Sequence, residues 1–332
     1  MEILKQTNDT TFLAEEDNTV YVLKRISQED LKTFRILMTL NNRHLVKIQR
    51  ILTLDGCIFA VCEYITGETL ECFVERNGVL SDEETERYLT DLCDGLRAVH
   101  TCGIVHRDIS PKNVLIHEGR AVLIDFGISR TVKSGQSSDT QVLGTQGYAA
   151  PEQFGFSQTS PRADIYALGV LVNYMKTGHI PSEQKEKGYF GKVIEKCIEM
   201  DERNRYDNTD LLVADLHKHK RMHCFLLNIP GFRTGNLFHM AAAIGYAAFL
   251  ALIYAVSIST DIREHTVSYL AFDMLFVTFV FGIPPMLLTN VGRWLDRWSL
   301  TRNRSKGERL LAVALACGVS VIIGCMFTTG MK

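Results

Sequence analysis

Short apolar segments bounded by polar residues dominate the beginning of the chain. The segments "EILKQ", "TTFLAEED" and "TVYVLKRI" lie within the first 26 residues, and "IFAVCEY" follows at residues 58–64. Further along, "VLI" at 114–116 and "AVLI" at 121–124 are β-branched runs separated by the polar turn "HEGR". Apolar runs of this kind, bounded by polar turns, are typical of strands. The pattern predicts a strand-rich N-terminal part and a later hairpin.

Three long apolar runs occupy the C-terminal part of the chain, at residues 237–260, 267–289 and 310–328. Each reaches the length of about 20 residues that spans the hydrocarbon core of a bilayer. Among them the three runs contain one acidic residue, Asp273, which in a membrane would snorkel, pair or mark a binding site. We predict three transmembrane helices, the second kinked by "GIPP" at 282–285. A buried helical hairpin is the alternative.

Charge is divided unevenly between these two parts. The chain has 332 residues, 46% of them hydrophobic, and a formal net charge of −2. Residues 1–222 carry 27 Lys and Arg against 33 Asp and Glu, whereas residues 223–332 carry 9 against 5. No basic surface is expected to bind nucleic acid. Nine cysteines without a C-x-x-C pair indicate reduced thiols rather than disulfides or a zinc site.

The loops between the apolar runs predict the orientation of the chain. Residues 293–309 hold six Lys and Arg, whereas residues 260–266 hold only Arg263. The positive-inside rule therefore places the longer loop in the cytoplasm and the C-terminus outside. The start "MEILKQTNDT" offers no apolar signal-peptide core. We expect a multi-pass protein of the plasma membrane, with residues 1–222 cytoplasmic and 223–236 as a short juxtamembrane linker.

The stretch "IVHRDISPKNVLIHEGRAVLIDFG" at 104–127 gathers polar side chains around the predicted hairpin. Asn113 and Asp125 flank the hairpin, so both can offer oxygen ligands to one magnesium ion that bridges nucleotide phosphates. Asp108 precedes Asn113 by five residues and is suited to orient an attacking hydroxyl. The spacing H-R-D-x-x-x-x-N followed by D-F-G resembles the catalytic core of the protein kinases.

Downstream motifs extend the resemblance. "GTQGYAAPEQ" at 144–153 is similar to the end of a serine/threonine kinase activation segment. "ADIYALGV" at 163–170 is similar to the start of the central buried helix, where Asp164 would hold the catalytic-loop backbone. Arg205 would form a buried pair with Glu152, and two solvated surface charges are the alternative.

The resemblance covers residues 1–222 and is to Hanks-type serine/threonine kinases, most like the membrane-anchored ones of bacteria. It implies an α+β, bilobal protein-kinase fold with a small β-rich N-lobe at about 1–62 and a helical C-lobe at about 66–222. A three-helix transmembrane region would follow.

The resemblance also implies a set of site residues for ATP and Mg²⁺. Catalysis would involve Asp108 and Lys112, and the metal would be held by Asn113 and Asp125. Nucleotide binding would involve the phosphate-contacting Lys24, the backbone of Glu63 and Ile65 at adenine, and Val22 and Leu115 above and below the ring. Cys62 would lie at the back of the pocket. The alternative is that Cys62 is only a small core residue.

Two departures from the family pattern concern the N-lobe. No glycine occurs in the first 55 residues, and alignment places Leu4, Gln6 and Asp9 at the three positions of the usual G-x-G-x-x-G loop. The charge of Asp9 near a triphosphate predicts a loop that stays open or bends away, and weaker ATP binding. In addition, Thr33 replaces the glutamate that pairs with Lys24 in the family.

These departures leave alternatives open. Glu29 or Asp30, one helical turn earlier, would substitute for the missing glutamate if the helix shifts; otherwise Lys24 is held by Asp125 alone. Ser27 and Asp30 resemble an N-cap with its third-position acid. Many serine/threonine kinases have a lysine two residues after the aspartate that matches Asp108. This chain has Ser110 at that position, and Lys112, two residues later, would still reach a γ-phosphate.

The predicted function is transfer of the ATP γ-phosphoryl group to Ser or Thr hydroxyls of membrane-proximal proteins. The alternative is a membrane-anchored pseudokinase that binds nucleotide or acts as a scaffold, and a third class is a ligand sensor built around Asp273. Expected partners are ATP, protein substrates, the lipid bilayer and a second copy for autophosphorylation. Arg107 would receive an activation-loop phosphate from Ser137, Ser138 or Thr140, whereas Thr145 would stay unmodified and contact Asp108. A flexible solvated loop is the alternative.

Overall fold

The computed structural model describes residues 1–126, 130–131, 145, 147–154, 160–228, 237–263, 274–283 and 306–329. The chain forms two compact units, Met1–Lys220 and Arg221–Lys332. We describe each unit by itself.

A five-stranded antiparallel sheet opens the first unit, with strand order β1-β2-β3-β5-β4. Two of its turns, Asp17-Asn18 and Asp55-Gly56, have both residues at positive φ, the conformation of tight hairpin turns that match the twist of the strands. The strands are β1 Glu2–Asn8, β2 Thr11–Glu16, β3 Thr19–Ile26, β4 Ile48–Leu54 and β5 Cys57–Glu63. The strands predicted from the apolar pattern are thereby confirmed.

One helix, α1 Leu31–Thr39, follows β3 and buries Phe34 and Leu37 in the main core. Before it, the Ser27 hydroxyl donates to Asp30 Oδ2 over 2.5 Å, and the Asp30 amide donates to Ser27 Oγ over 3.2 Å. The two side chains therefore pair, but the predicted N-cap at Ser27 is wrong, because the N-cap position is Asp30 and has no side-chain cap bond. The helix itself begins only after Asp30, because Ser27 and Asp30 close a turn on each other instead of capping the first helical amides.

The rest of the first unit is mostly helical. Helix α3 begins with a reciprocal capping box between Ser81 and Glu84, and most of α4 is buried in the core as the family's central helix should be. The helices that begin in this unit are α2 Leu70–Asn77, α3 Asp82–Thr101, α4 Pro161–Thr177, α5 Tyr189–Cys197 and α6 Thr209–Asn228. The β-rich first lobe and the helical second lobe that the resemblance implies are both present.

Short strands position the loops between the lobes. β8 Val114–His117 and β9 Arg120–Leu123 form the predicted hairpin around a turn with Glu118 and Gly119 at positive φ. β6 Glu68–Thr69 pairs with β8, and β7 Ile104–Val105 pairs with β10 Arg130–Thr131. This hairpin holds the residues on either side of it at fixed positions under the five-stranded sheet.

The second unit contains α7 Leu237–Arg263, a π-helical turn Thr278–Gly282 and α8 Lys306–Thr329. Within the described ranges of this unit and the first, no helix is both long and apolar enough to cross a membrane. The three predicted spans are therefore not supported by the described residues. Asp273 and the two prolines of "GIPP" lie outside the described residues.

Candidate active site

The carboxylate of Asp108 is fixed from two sides. Its Oδ1 accepts hydrogen bonds from the Thr145 hydroxyl at 2.7 Å and the Thr145 amide at 3.0 Å. Its Oδ2 accepts from Asn113 Nδ2 at 2.7 Å, and the same Nδ2 donates to the Asp108 carbonyl at 2.8 Å. The contact between Thr145 and Asp108 confirms the one expected from sequence. The loop therefore presents one oriented acceptor, the group a general base requires.

Asp164, which is fully buried at the start of α4, holds the loop that precedes Asp108. Its carboxylate accepts from the amides of His106 at 2.9 Å and Arg107 at 2.8 Å, and from His100 Nε2 at 2.7 Å. Burial opposes ionisation, but the hydrogen bond and charge of His100 hold the pKa of Asp164 below its usual value. These bonds stabilise Arg107 at a φ of 70°, a costly conformation for a side chain of this kind. The predicted contact of Asp164 with the loop backbone is confirmed.

His106 connects this loop to the segment around Asp125. Its imidazole Nε2 lies 3.3 Å from the Ile124 carbonyl, and its ring lies 4.9 Å from the ring of Phe126. Complete burial lowers the pKa of His106, so the ring is neutral near pH 7. His106 therefore acts as a packed core residue that joins the segments of Asp108 and Asp125.

A cavity of about 560 Å³ lies between the five-stranded sheet and the β8-β9 hairpin. Its walls bring together eight of the nine site residues expected from sequence, the exception being Asp108. These eight are Val22, Lys24, Glu63, Ile65, Lys112, Asn113, Leu115 and Asp125. The wall also includes Cys62, whose burial raises the pKa of its thiol to about 12, which makes it an inert small residue at the back of the cavity.

Lys24 and Asp125 form an ion pair inside this cavity. Burial lowers the pKa of Lys24 to about 8, against the opposing influence of Cys62, Asp108 and Asp30. Asp125 itself has a φ of 64°, so the backbone turns sharply where its carboxylate meets the lysine. The cavity thus contains one cation and one anion in direct contact.

A match to a family model decides the assignment. The model described as "Protein kinase domain" matches residues 10–222 of this chain. The chain belongs to the protein kinase family.

Several bacterial kinases are similar to this kinase domain. The probable serine/threonine-protein kinase pknA2 of Bifidobacterium longum is 35% identical over 142 residues, which are 42% of this chain and 19% of that protein. The serine/threonine-protein kinase PknL of Mycobacterium tuberculosis is 38% identical over 149 residues, 44% and 37% of the two chains. The serine/threonine-protein kinase D of Synechocystis is 30% identical over 201 residues, 53% and 39%. Each alignment spans less than two fifths of the relative's length.

The missing glutamate of the kinase N-lobe has no substitute within the described residues. Thr33 is buried on α1, and neither Glu29 nor Asp30 forms an ion pair with Lys24 in the described part of the chain. Asp30 is instead bonded to Ser27. Of the two alternatives, the structure therefore favours the one in which Lys24 is held by Asp125 alone.

The loop around Asp108 also departs from the pattern of the family. Lys112 lies at the cavity wall, with its side chain 66% exposed and its ammonium 3.8 Å from Glu71 Oε1. It is therefore mobile enough to approach a phosphate. Ser110, at the position of the usual lysine, is buried, and in the described residues its hydroxyl has no hydrogen-bond partner.

The glycine-free hairpin keeps the charge of Asp9 away from the cavity. Asp9 is exposed and is not among the residues that line the cavity, and the weaker ATP binding expected from sequence stays a prediction. The wall contains Thr7, Asn8 and Thr11 instead. Sequence reasoning missed these three, because the alignment assigned positions by glycine spacing and could not show which side chains turn inward.

Sequence reasoning also missed two supporting residues. His100 bonds Asp164, and the buried Gln153 donates from Nε2 to the Arg107 carbonyl at 2.9 Å while its Oε1 accepts from the Ala150 amide at 2.9 Å. The motif "APEQ" carried the only signal for Gln153. The expected phosphorylation residues Ser137, Ser138 and Thr140 lie outside the described residues.

Proposed function

We propose that this kinase domain transfers the γ-phosphoryl group of ATP to serine or threonine hydroxyls of proteins. The observation that carries the proposal is the Asp108 carboxylate, oriented by Asn113 and Thr145 beside a cavity that contains Lys24 and Asp125. In the reaction the substrate oxygen forms a bond to the γ-phosphorus, and the bond from that phosphorus to the β-γ bridging oxygen breaks. Asp108 accepts the hydroxyl proton, and ADP leaves.

The cavity fits a nucleotide. Val22 and Leu115 supply apolar contacts for a flat base, and the backbone at Glu63 and Ile65 offers hydrogen-bonding groups at one edge. The ammonium of Lys24 supplies positive charge for phosphate oxygens.

The donor set also fits magnesium held together with phosphates. Asn113 Nδ2 is used by Asp108, which leaves its Oδ1 as a ligand, and Asp125 supplies a carboxylate. In the described ranges no group of three or more His, Cys, Asp or Glu side chains is placed to hold a metal by itself. Mg²⁺ is commonly bound by one or two protein oxygens plus substrate phosphates, and when bound it neutralises phosphate charge.

A pseudokinase is the second candidate function, and the buried Thr33 favours it. Without a glutamate on α1, the one ion-pair partner of Lys24 among the described residues is Asp125, the same carboxylate that a metal would need. A domain of this kind would bind nucleotide and transfer phosphate slowly or not at all.

Transfer and pure binding can be separated in one experiment. The purified full chain is incubated with γ-labelled ATP and magnesium, and self-phosphorylation is compared with that of Asp125→Ala, while nucleotide binding is measured in parallel. Labelling well above the variant supports the kinase. Binding with labelling no higher than in the variant establishes the pseudokinase instead.

The surface of the second unit supports a membrane location for this kinase. Many large apolar side chains of α7 and α8 are exposed, including Leu237, Phe238, Ile244, Phe249, Leu252, Leu311, Leu315, Val319, Ile322 and Met326. Ser320 is buried, and its hydroxyl donates to the Phe279 carbonyl at 2.6 Å. Apolar side chains outside and bonded polar groups inside form the arrangement expected in lipid.

We therefore include membrane anchoring in the proposal, with a kinase domain at 1–222, a linker at 223–236 and spans at 237–260, 267–289 and 310–328. The six cations of residues 293–309 support a cytoplasmic kinase domain and an external C-terminus at the plasma membrane. Substrates would be membrane-proximal proteins, and a second copy would be one of them in autophosphorylation.

A topology reporter tests this part of the proposal. A reporter active only in the cytoplasm should work when fused after Met222 or inserted within residues 296–304, and should fail after Lys332. Activity after Lys332 would contradict the third span.

A further inference from the structure

The end of β1 contains a β-bulge that faces the cavity. Gln6 is opposite Phe12 and Asn8 is opposite Thr11, so Thr7 is an extra residue without a partner in the register. In a regular strand, consecutive side chains point to opposite faces of the sheet. A bulge redirects one of them, and here Thr7 and Asn8, although neighbours in sequence, both line the cavity.

The hairpin tip is closed by side chains instead of by glycine. Asn8 Oδ1 accepts from the Thr10 amide at 3.0 Å and the Thr10 hydroxyl at 3.3 Å, and Gln6 Nε2 donates to the Asn8 carbonyl at 3.1 Å. The Arg25 amide donates to the Thr10 carbonyl at 2.7 Å, which ties the tip to β3. These bonds hold the bulge in place and leave the amide hydrogens of Asn8 Nδ2 as donors.

Thr11 is placed beside the lysine of the site. It lies directly opposite Lys24 in the β2-β3 register, and both residues line the cavity. Directly opposed residues of an antiparallel pair have their side chains on the same face, within about 5.5 Å. The next residue, Phe12, faces the other side of the sheet, where its ring lies 5.8 Å from that of Phe59.

We propose that Thr7, Asn8 and Thr11 form a phosphate cradle, in which two hydroxyls and one amide donate hydrogen bonds to the phosphate oxygens of a bound nucleoside triphosphate. This proposal rests on the proposed function, because it takes a nucleotide as the ligand of the cavity. Such donors take the place of the bare glycine backbone, so the missing glycines do not remove phosphate recognition. The exposed Asp9 stays outside the cradle.

Binding measurements on the full chain test the cradle. Isosteric Thr7→Val and Thr11→Val substitutions remove the hydroxyls and keep a β-branched side chain that suits a strand. Calorimetry with ATP, ADP and adenosine compares the wild type, the two variants and the double variant. Thr19→Val, at the exposed start of β3 and outside the cavity, is the matched control.

The double variant should bind ATP at least about tenfold more weakly, because it loses hydrogen bonds to charged oxygens. Adenosine affinity should change less than about twofold, and the control should match the wild type. Unchanged ATP affinity in the double variant overturns the cradle. An equal loss of affinity for adenosine overturns it too, and so does a wild type that binds no ATP. If ATP binding depends on the two threonines but no phosphate is transferred, the cradle stands and the proposed kinase activity fails.

Discussion

Replacing Arg205 with alanine should strongly destabilise the kinase domain. The guanidinium uses all five of its N–H groups, and its side chain is 0% exposed against 12% for Glu152. Two bonds reach the Glu152 carboxylate at 2.6 and 2.9 Å, and the others reach the carbonyls of Glu199, Arg162 and Met200 at 2.8, 3.2 and 3.4 Å. Removing the arginine leaves a buried carboxylate and three carbonyls without this donor.

The magnitude follows from the burial. Breaking a buried pair by removing one partner costs about 3–5 kcal/mol, whereas an exposed pair contributes about 0–1 kcal/mol. For a domain of this size, 1 kcal/mol corresponds to a change in Tm of about 2–4 °C. Arg205→Ala should therefore lower the Tm of the first unit by about 6–20 °C.

Differential scanning calorimetry of the full chain measures this change, with Arg203→Ala as the matched control. Arg203 pairs with Asp201 at the surface, with side chains 81% and 40% exposed, so its loss should leave the Tm unchanged. Arg205→Ala combined with Glu152→Ala should cost less than the sum of the two single variants, since the double variant leaves no buried charge unpaired. Equal and small effects of Arg205→Ala and Arg203→Ala would refute the reasoning.

Three further predictions concern the cavity and the core. Burial lowers the pKa of Lys24 to about 8, so its ammonium loses its charge and ATP affinity should fall as pH rises from 7 to 9. Calorimetry measures this change, and Lys24→Arg should flatten the pH profile. A flat profile in the wild type would contradict the prediction. Because of the same shift, the unfolded chain binds more protons than the folded chain between pH 8 and about 10.4. The contribution of Lys24 to the free energy of unfolding should therefore rise with pH in that window, which stabilises the fold. Thr33→Glu should give Lys24 a second carboxylate and raise the rate of phosphate transfer several-fold, whereas no gain over Thr33→Val would show that the pair with Asp125 suffices. Gly169→Ala should cost about 1–3 kcal/mol in chemical denaturation, because its Cβ would lie 2.4 Å from Cys197 Cβ; Cys197→Ala keeps that atom and should not rescue the variant, and rescue would contradict the clash.

The candidate active site was predictable because its groups lie in short motifs. Asp108 precedes Asn113 by five residues, and a single hairpin separates Asn113 from Asp125, so strand and turn signals were enough to place them together. The long-range pair of Arg205 and Glu152 was predictable only through the family resemblance. Neither spacing nor apolar periodicity relates residues 53 positions apart.

The N-lobe wall was less predictable, for a physical reason. The inward direction of Thr7 depends on a bulge, and a bulge depends on the register between two strands instead of on the sequence of one. The start of α1 was missed in a similar way. Ser27 and Asp30 form the expected pair, but they close a turn before the helix, and only the backbone conformation distinguishes the two arrangements.

Phosphate transfer to an added protein tests the central claim most directly. The full chain is incubated with γ-labelled ATP, magnesium and casein as a probe, and the label is assigned by phosphoamino-acid analysis. The proposed function predicts phosphoserine and phosphothreonine on casein, and a loss of this signal in Asp108→Asn, which keeps the shape of the side chain but cannot accept the proton. Casein labelling by the wild type no higher than by Asp108→Asn, with nucleotide binding intact in both, would contradict it.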